Sequence, residues 1–317
     1  MGNGSHRQGW FTRRKCRGLV GSLAIVVGLA VLAGVGAAVL AADEAVAPVF
    51  TFRDGDRVVL LGAAFIERLQ MHGYLETALT AGLADRQITF RNLGWSGDTV
   101  WGDARAVFGT RADGRRRQLR DVMLCRPTVL IVCYGENEAW EGDAGLESFR
   151  RGLNELMDEL ASLEARWLLL GPRKHDHLGP PLPDPAPYNA MLRKYNDVTA
   201  QVAAQRGAAF LDLYDAPGAT ENGLHLSREG EIALVRYLLP RLGVSDFPFE
   251  SLAWDALRTA IRQKNELFFH RYRPQNETYL FLFRKHEQGN NAVEIPMFDP
   301  LIAEKENEIA RLKQPVR

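Results

Sequence analysis

A three-layer α/β/α sandwich, with a mostly parallel five-stranded sheet between its helices and a helical extension at the C-terminal end, is the fold that the sequence predicts. Three observations carry that expectation. Val58 to Leu61, Thr128 to Cys133 and Trp167 to Leu170 are continuous apolar runs too short for helices, the pattern of strands buried on both faces. Each run ends at or just before a Gly or a polar loop. Between the runs lie segments with helical spacing, and alternation of strand with helix argues for a parallel sheet covered on both sides. In such sheets ligands sit beyond the carboxyl ends of the strands.

Taken in order, Val58 to Leu61 is the first strand and leads into Gly62-Ala63-Ala64; Phe65 to Leu79 has the spacing of a single helix. Ile88 to Phe90 supplies the second strand, followed by Asn92 to Asp98. Thr128 to Cys133 is the third, followed by Gly135 and Asn137. Leu146 to Leu163 is helical, Trp167 to Leu170 is the fourth strand, and Pro172 to Pro187 is too rich in proline for a regular element. A loop of that length in a compact domain is often functional. Tyr188 to Gln205 is helical and Ala209 to Leu213 is the fifth strand. Beyond Leu242, Phe247 to Arg273 has aromatic-rich helical spacing, Thr278 to Phe283 reads as a strand, and Pro300 to Lys313 as a charged helix with Glu308 and Arg311 three apart.

The N-terminus differs in kind. Arg13, Arg14, Lys15 and Arg17 precede an uncharged apolar run, Gly18 to Ala42, that closes on Leu40-Ala41-Ala42. This is the pattern of an export signal, and a retained membrane anchor is the alternative because the run reaches the length that spans a bilayer. Residues 1–42 are therefore set apart from a domain over 50–245 and an extension over 246–317. The chain is expected to be exported to the periplasm or beyond, with membrane contact only if that segment stays uncleaved. Lys plus Arg and Asp plus Glu both total 39, so no global field recruits nucleic acid. Cys125 and Cys133 form no disulfide framework or metal spacing, and each reads as core filler.

Asn92-Leu93-Gly94-Trp95-Ser96-Gly97-Asp98-Thr99, Tyr134-Gly135-Glu136-Asn137-Glu138 and Asn222-Gly223-Leu224-His225-Leu226 follow one another in an informative order. In order and spacing they resemble the later blocks of the SGNH (GDSL-like) hydrolases. The resemblance covers about Arg57 to Leu242. Ile66-Glu67-Arg68 and the tail Asn276 to Phe281 are similar to an exported, planctomycete-type subgroup in which the first block is often altered. It implies acyl-ester chemistry, commonly on acetylated glycans, with no cofactor and no metal. The family's first block is Gly-Asp-Ser, with Ser as nucleophile; here Ala64 stands in that place.

Ester hydrolysis of this kind needs a nucleophile, a base, a group orienting the base, and oxyanion donors. The resemblance assigns His225 as base. It puts Asn222 where the family has an Asp, and Glu221 beside it is a substitute for that charge. Gly94 or Gly97, through a backbone amide, and Asn137, through its side chain, match the oxyanion donors; Asp98 is expected to fix the loop. Ser96 is the nearest replacement nucleophile, ahead of Thr99 and Ser227. Direct attack by water, with His225 as base and Glu136, Glu138 or Glu141 assisting, is a further route. A non-catalytic glycan or partner binder using the same cleft is the reading from another class. His175 and His177, without a third ligand, read as polar contacts of a loop lid rather than a metal site.

Overall fold

The computed structural model describes residues 48–244, 247, 249 and 254–313; the N-terminal signal or anchor, residues 1–42, lies outside them. No helix among the described residues is long and apolar enough to cross a membrane. Five strands form one sheet in the order β2-β1-β3-β4-β5: β1 (Arg57–Gly62), β2 (Thr89–Asn92), β3 (Val129–Cys133), β4 (Arg166–Leu170) and β5 (Ala209–Leu211). Every neighbouring pair is parallel.

The apolar runs form strands because both sheet faces are covered. Along β1, Val58 and Leu60 enter one core cluster while Val59 and Leu61 enter the other, the two-residue alternation of a pleated strand. The first face is covered by α1 (Ala64–His72), α2 (Tyr74–Gly82) and α6 (Arg228–Arg241). The second is covered by α3 (Arg111–Cys125), α4 (Leu146–Glu159) and α5 (Ala186–Arg206). Gly62 ends β1 where a Cβ would stand 2.4 Å from the Cys133 carbonyl oxygen, so only glycine lets β1 and β3 close at that point. Cys133 is buried and Cys125 partly so, both as free thiols; burial raises both above the usual thiol range.

Three expectations are corrected. The single helix over Phe65 to Leu79 is broken at Gly73, which has φ 73° and serves both neighbours. Its amide donates to Leu69 O and its carbonyl accepts from Thr77 N and Oγ1, ending α1 and starting α2. The strand expected over Thr278 to Phe283 is instead a short helix, α8 (Glu277–Leu280). The sheet ends at β2 and β5 and offers that segment no ladder, whereas the Asn276 carbonyl collects the amides of Tyr279 and Leu280. Glu308 pairs with Lys305 at 2.8 Å, not with Arg311.

Two helices were not foreseen. In α3, Arg117, Gln118 and Asp121 are buried in place of an apolar stripe, so the usual periodicity is weak. Its readable signal was the capping box of Thr110 and Asp113. In α6 the signal was Ser227, whose Oγ accepts from Gly230 N at 3.0 Å.

The extension packs within the same compact unit, which begins at Ala45. It comprises α7 (Asp255–Tyr272), α8, α9 (Lys285–Gln288) and α10 (Phe298–Leu312). Lys264 of α7 is fully buried and donates to Glu76 Oε1 at 2.5 Å and Phe90 O at 3.0 Å. That pair ties the extension to α2 and β2.

Candidate active site

The motif-bearing loops leave the carboxyl ends of β1, β2 and β3, as the parallel topology requires. Ala64 is the first residue of α1. It lines a cavity of about 20 Å³ with Phe65, Leu69, Glu136, Leu224 and His225, room for one water molecule. The structure therefore brings the position of the absent hydroxyl, the proposed base and one acidic candidate to a single hollow.

The loop after β2 is anchored by Asp98. Its carboxylate accepts from Arg105 Nε at 2.7 Å, both side chains being 0% exposed, and from the Tyr134 hydroxyl at 3.0 Å. Arg105 also donates to Leu93 O. Burial together with the Asp98 charge drives the Tyr134 hydroxyl well above its ordinary range. Asp98 is thus a loop anchor, held by Arg105, Tyr134 and the Ala104 amide. Its own carbonyl accepts from Asn137 Nδ2 at 2.6 Å, which leaves that amide one further hydrogen to donate.

The two candidate glycines separate. The Gly94 amide is committed to Asn92 Oδ1 at 2.8 Å, and a Cβ there would meet Glu67 N at 2.2 Å; its part is close packing of this loop on α1. Gly97, at φ 78°, is exposed, and no protein acceptor takes its amide among the described residues. Ser96 is exposed, donates its amide to Glu67, and stands outside the residues lining the cavity. Thr99 donates its hydroxyl to Asp103, and Ser227 caps α6. The three substitute hydroxyls are therefore occupied or displaced from the hollow.

The acidic candidates divide as well. Glu138 is buried and accepts from Val100 N at 2.6 Å and Gly135 N at 2.8 Å, locking one loop to the other; burial raises its carboxyl to about 7. Glu141 is exposed on the following turn. Of these three, only Glu136 lines the cavity, with His175 Nε2 3.5 Å from its Oε1; Glu231 also lines it but is engaged by the Tyr74 amide at 3.0 Å. His177 instead faces Asp184 at 3.3 Å, and no cluster suited to a metal ion occurs among the described residues.

His225 sits in a loop closed by Glu221 N donating to its carbonyl and braced by the proline-rich loop through Asp176, which accepts the Thr220 hydroxyl at 2.7 Å. Its Nδ1 lies 3.2 Å from Asn222 Nδ2. The amide's orientation follows from its other end, because Asn222 Oδ1 accepts from His225 N at 2.8 Å and Leu224 N at 3.2 Å. With the oxygen committed, the NH₂ donates to Nδ1, and the ring hydrogen resides on Nε2. In a serine triad the orienting carboxylate accepts from Nδ1–H and leaves Nε2 as base; here that polarity is reversed. Glu221 does not substitute, since its carboxylate faces Arg68 at 3.8 Å. Burial and then the Arg68 charge lower the His225 pKa, so the ring is neutral at neutral pH.

The extension reaches this site too: the Tyr272 hydroxyl donates to Gly94 O at 2.9 Å, and the Arg273 guanidinium lies 3.9 Å from the Trp95 ring centroid. Sequence patterning gave no sign of these contacts, because they come from residues far along the chain.

A five-stranded parallel sheet with an imidazole, a carboxamide and a free glycine amide at its strand ends defines an α/β protein of the SGNH-hydrolase type. Residues 68–231 match the GDSL-like lipase/acylhydrolase family model, and the chain belongs to that family. No curated protein matches the chain. Among solved structures, it is similar to a gut microbial diltiazem-metabolizing enzyme (18% identity, TM-score 0.49), with 63% of this chain and 48% of that one covered, so it spans about half of that relative. It is also similar to the acetylxylan esterase Axe2 from Geobacillus stearothermophilus (20% identity, TM-score 0.46, 61% and 96% covered).

Proposed function

We propose that the chain is a carboxylic ester hydrolase for a small acyl ester, such as the acetyl group of a glycan, that uses water directly in place of a serine nucleophile. The observation that carries this reading is the shared hollow of Ala64, Glu136 and His225. With no hydroxyl at position 64, the space beside the imidazole fits a water molecule, and Glu136 is the carboxylate placed to take its proton.

In the reaction the water oxygen bonds to the acyl carbon as Glu136 removes a proton. We assign the resulting oxyanion to Gly97 N–H and the second hydrogen of Asn137 Nδ2, which lie at the strand ends but outside the residues lining the hollow, as donors of the kind that act where charge develops. Collapse breaks the bond to the alcohol oxygen, which receives the proton back from Glu136. The neutral His225 donates its Nε2–H to that leaving oxygen as a hydrogen bond, a role open to a neutral imidazole. Acid and alcohol are the products, and no acyl-enzyme forms. Phe65, Leu69 and Leu224 line the hollow and offer apolar surface to a short acyl group at its mouth.

The test is acetyl-ester turnover by the purified chain and by Glu136→Gln, expected to fall about a hundredfold or more with loss of the general base. Intact-mass analysis during turnover should find no acylated protein. Equal rates in the two proteins reject the water mechanism. A second reading, a non-catalytic binder of acetylated glycan, is favoured by the Asn222 amide donating to Nδ1, which removes the imidazole as base. Binding of acetylated glycan without turnover in the unaltered chain would establish it. Export is also proposed, from Arg13 to Ala42 alone, and N-terminal sequencing of the secreted protein tests it.

A further inference from the structure

Trp140 is an exposed aromatic that the ester chemistry leaves unused. It lies in the 3-10 turn Glu138–Gly145 that follows Asn137. Its ring is stacked on Tyr188, with centroids 4.3 Å apart and planes at 24°, yet the residue is 75% exposed. One face is therefore covered and the other lies in water. Aromatic side chains ordinarily bury about 150–250 Å² in a core or interface, and a large ring held flat on the surface beside a cleft has no such account.

The platform is fixed to the site. Tyr188 donates its hydroxyl to Glu136 O, and its ring centroid is 5.0 Å from that of His175, which faces the Glu136 carboxylate. The turn is held from the other side by the Tyr195 hydroxyl, donating to Gly142 O at 3.0 Å, and by Lys194 on Asp143 at 2.5 Å. Glu141 is exposed on the same turn.

We propose that Trp140 is a sugar-stacking subsite that seats a neutral pyranose ring of the substrate next to the cavity. A pyranose has an apolar C–H face and a rim of hydroxyls. The face removes apolar area from water against the indole, its slightly positive hydrogens meet the negative π face, and the rim keeps its hydroxyls in water. A cation would call for several enclosing aromatic faces, as in methyl-lysine cages, and only one face is open here. This deepens the ester-hydrolase reading, on which it rests for where the acyl group sits.

Calorimetric titration with unesterified xylohexaose and cellohexaose tests it, because no bond is broken and the outcome does not depend on catalysis. The unaltered chain should bind at least one of the two. Trp140→Ala should weaken that binding about tenfold or more, and Trp140→Phe, which keeps a flat face, should recover part of the loss. The melting temperature of each variant reports whether the fold is intact. Equal affinity of the unaltered chain and a folded Trp140→Ala, absence of binding to both sugars, or binding of tetramethylammonium instead of sugar would overturn the assignment.

Discussion

The two halves of the site are built differently. On one side, the loops after β2 and β3 interlock: Asp98 with Arg105 and Tyr134, Glu138 with Val100 and Gly135, Asn137 with Asp98. On the other, Ala64 opens α1 without a hydroxyl, and the histidine loop sets the uncharged Asn222 amide against His225 Nδ1. The loops that carry the proposed oxyanion donors are wired into the core. Ala64 and the histidine loop are where the chain departs from the family pattern. The contrast teaches that the anchoring of the β2 and β3 loops can persist while Ala64 and the histidine loop depart from the family pattern, even though Glu136, the proposed base, sits beside Asn137 on the β3 loop.

The most severe way to break the comparison is Asp98→Ala. It leaves the Arg105 guanidinium buried without its charge partner, a loss of about 3–5 kcal/mol, so thermal unfolding should show a large drop or no folded protein. The acid–base half should respond by gain instead. Ala64→Ser combined with Asn222→Asp restores a hydroxyl and a carboxylate that accepts from Nδ1–H, and the double variant should be labelled covalently by a serine-directed fluorophosphonate while the unaltered chain is not. Labelling of neither would show that the hollow no longer fits a serine route.

A smaller effect belongs to Arg68→Gln. The Arg68 charge helps lower the His225 pKa, so its removal moves that pKa up towards the ordinary value. The ring then becomes protonated at higher pH, which an NMR titration of the His225 imidazole reads as an upward shift of its midpoint. An unmoved midpoint would mean that the Arg68 charge does not reach the ring. The least effect is expected from Ser96→Ala, an exposed side chain away from the cavity, with stability changed by less than about 0.5 kcal/mol and acetyl-ester turnover within twofold. A large loss of turnover would make Ser96 the nucleophile.

All five strands were legible because burial on both faces writes them as unbroken apolar runs, and Val58 to Leu61 shows why: neighbouring side chains enter opposite cores. The helix break at Gly73 was hidden because apolar spacing runs on across it, and a left-handed residue leaves no trace in periodicity. Helix α3 was missed because its buried residues are ionic. Within the site, the block residues could be found by their order. Which glycine keeps a free amide, which glutamate faces the cavity, and the direction of the Asn222 hydrogen bond depend on where partners meet in space.

The family match ends at residue 231, but Lys264, Tyr272 and Arg273 reach back to Glu76, Gly94 and Trp95. Anyone excising the domain at its similarity boundary would strip Glu76 of its Lys264 and Asn265 partners and release the clamp on the glycine loop. For expression or grafting, the smallest usable piece must run through the far end of α10, and the tail is better regarded as part of the domain's chassis than as an appendage.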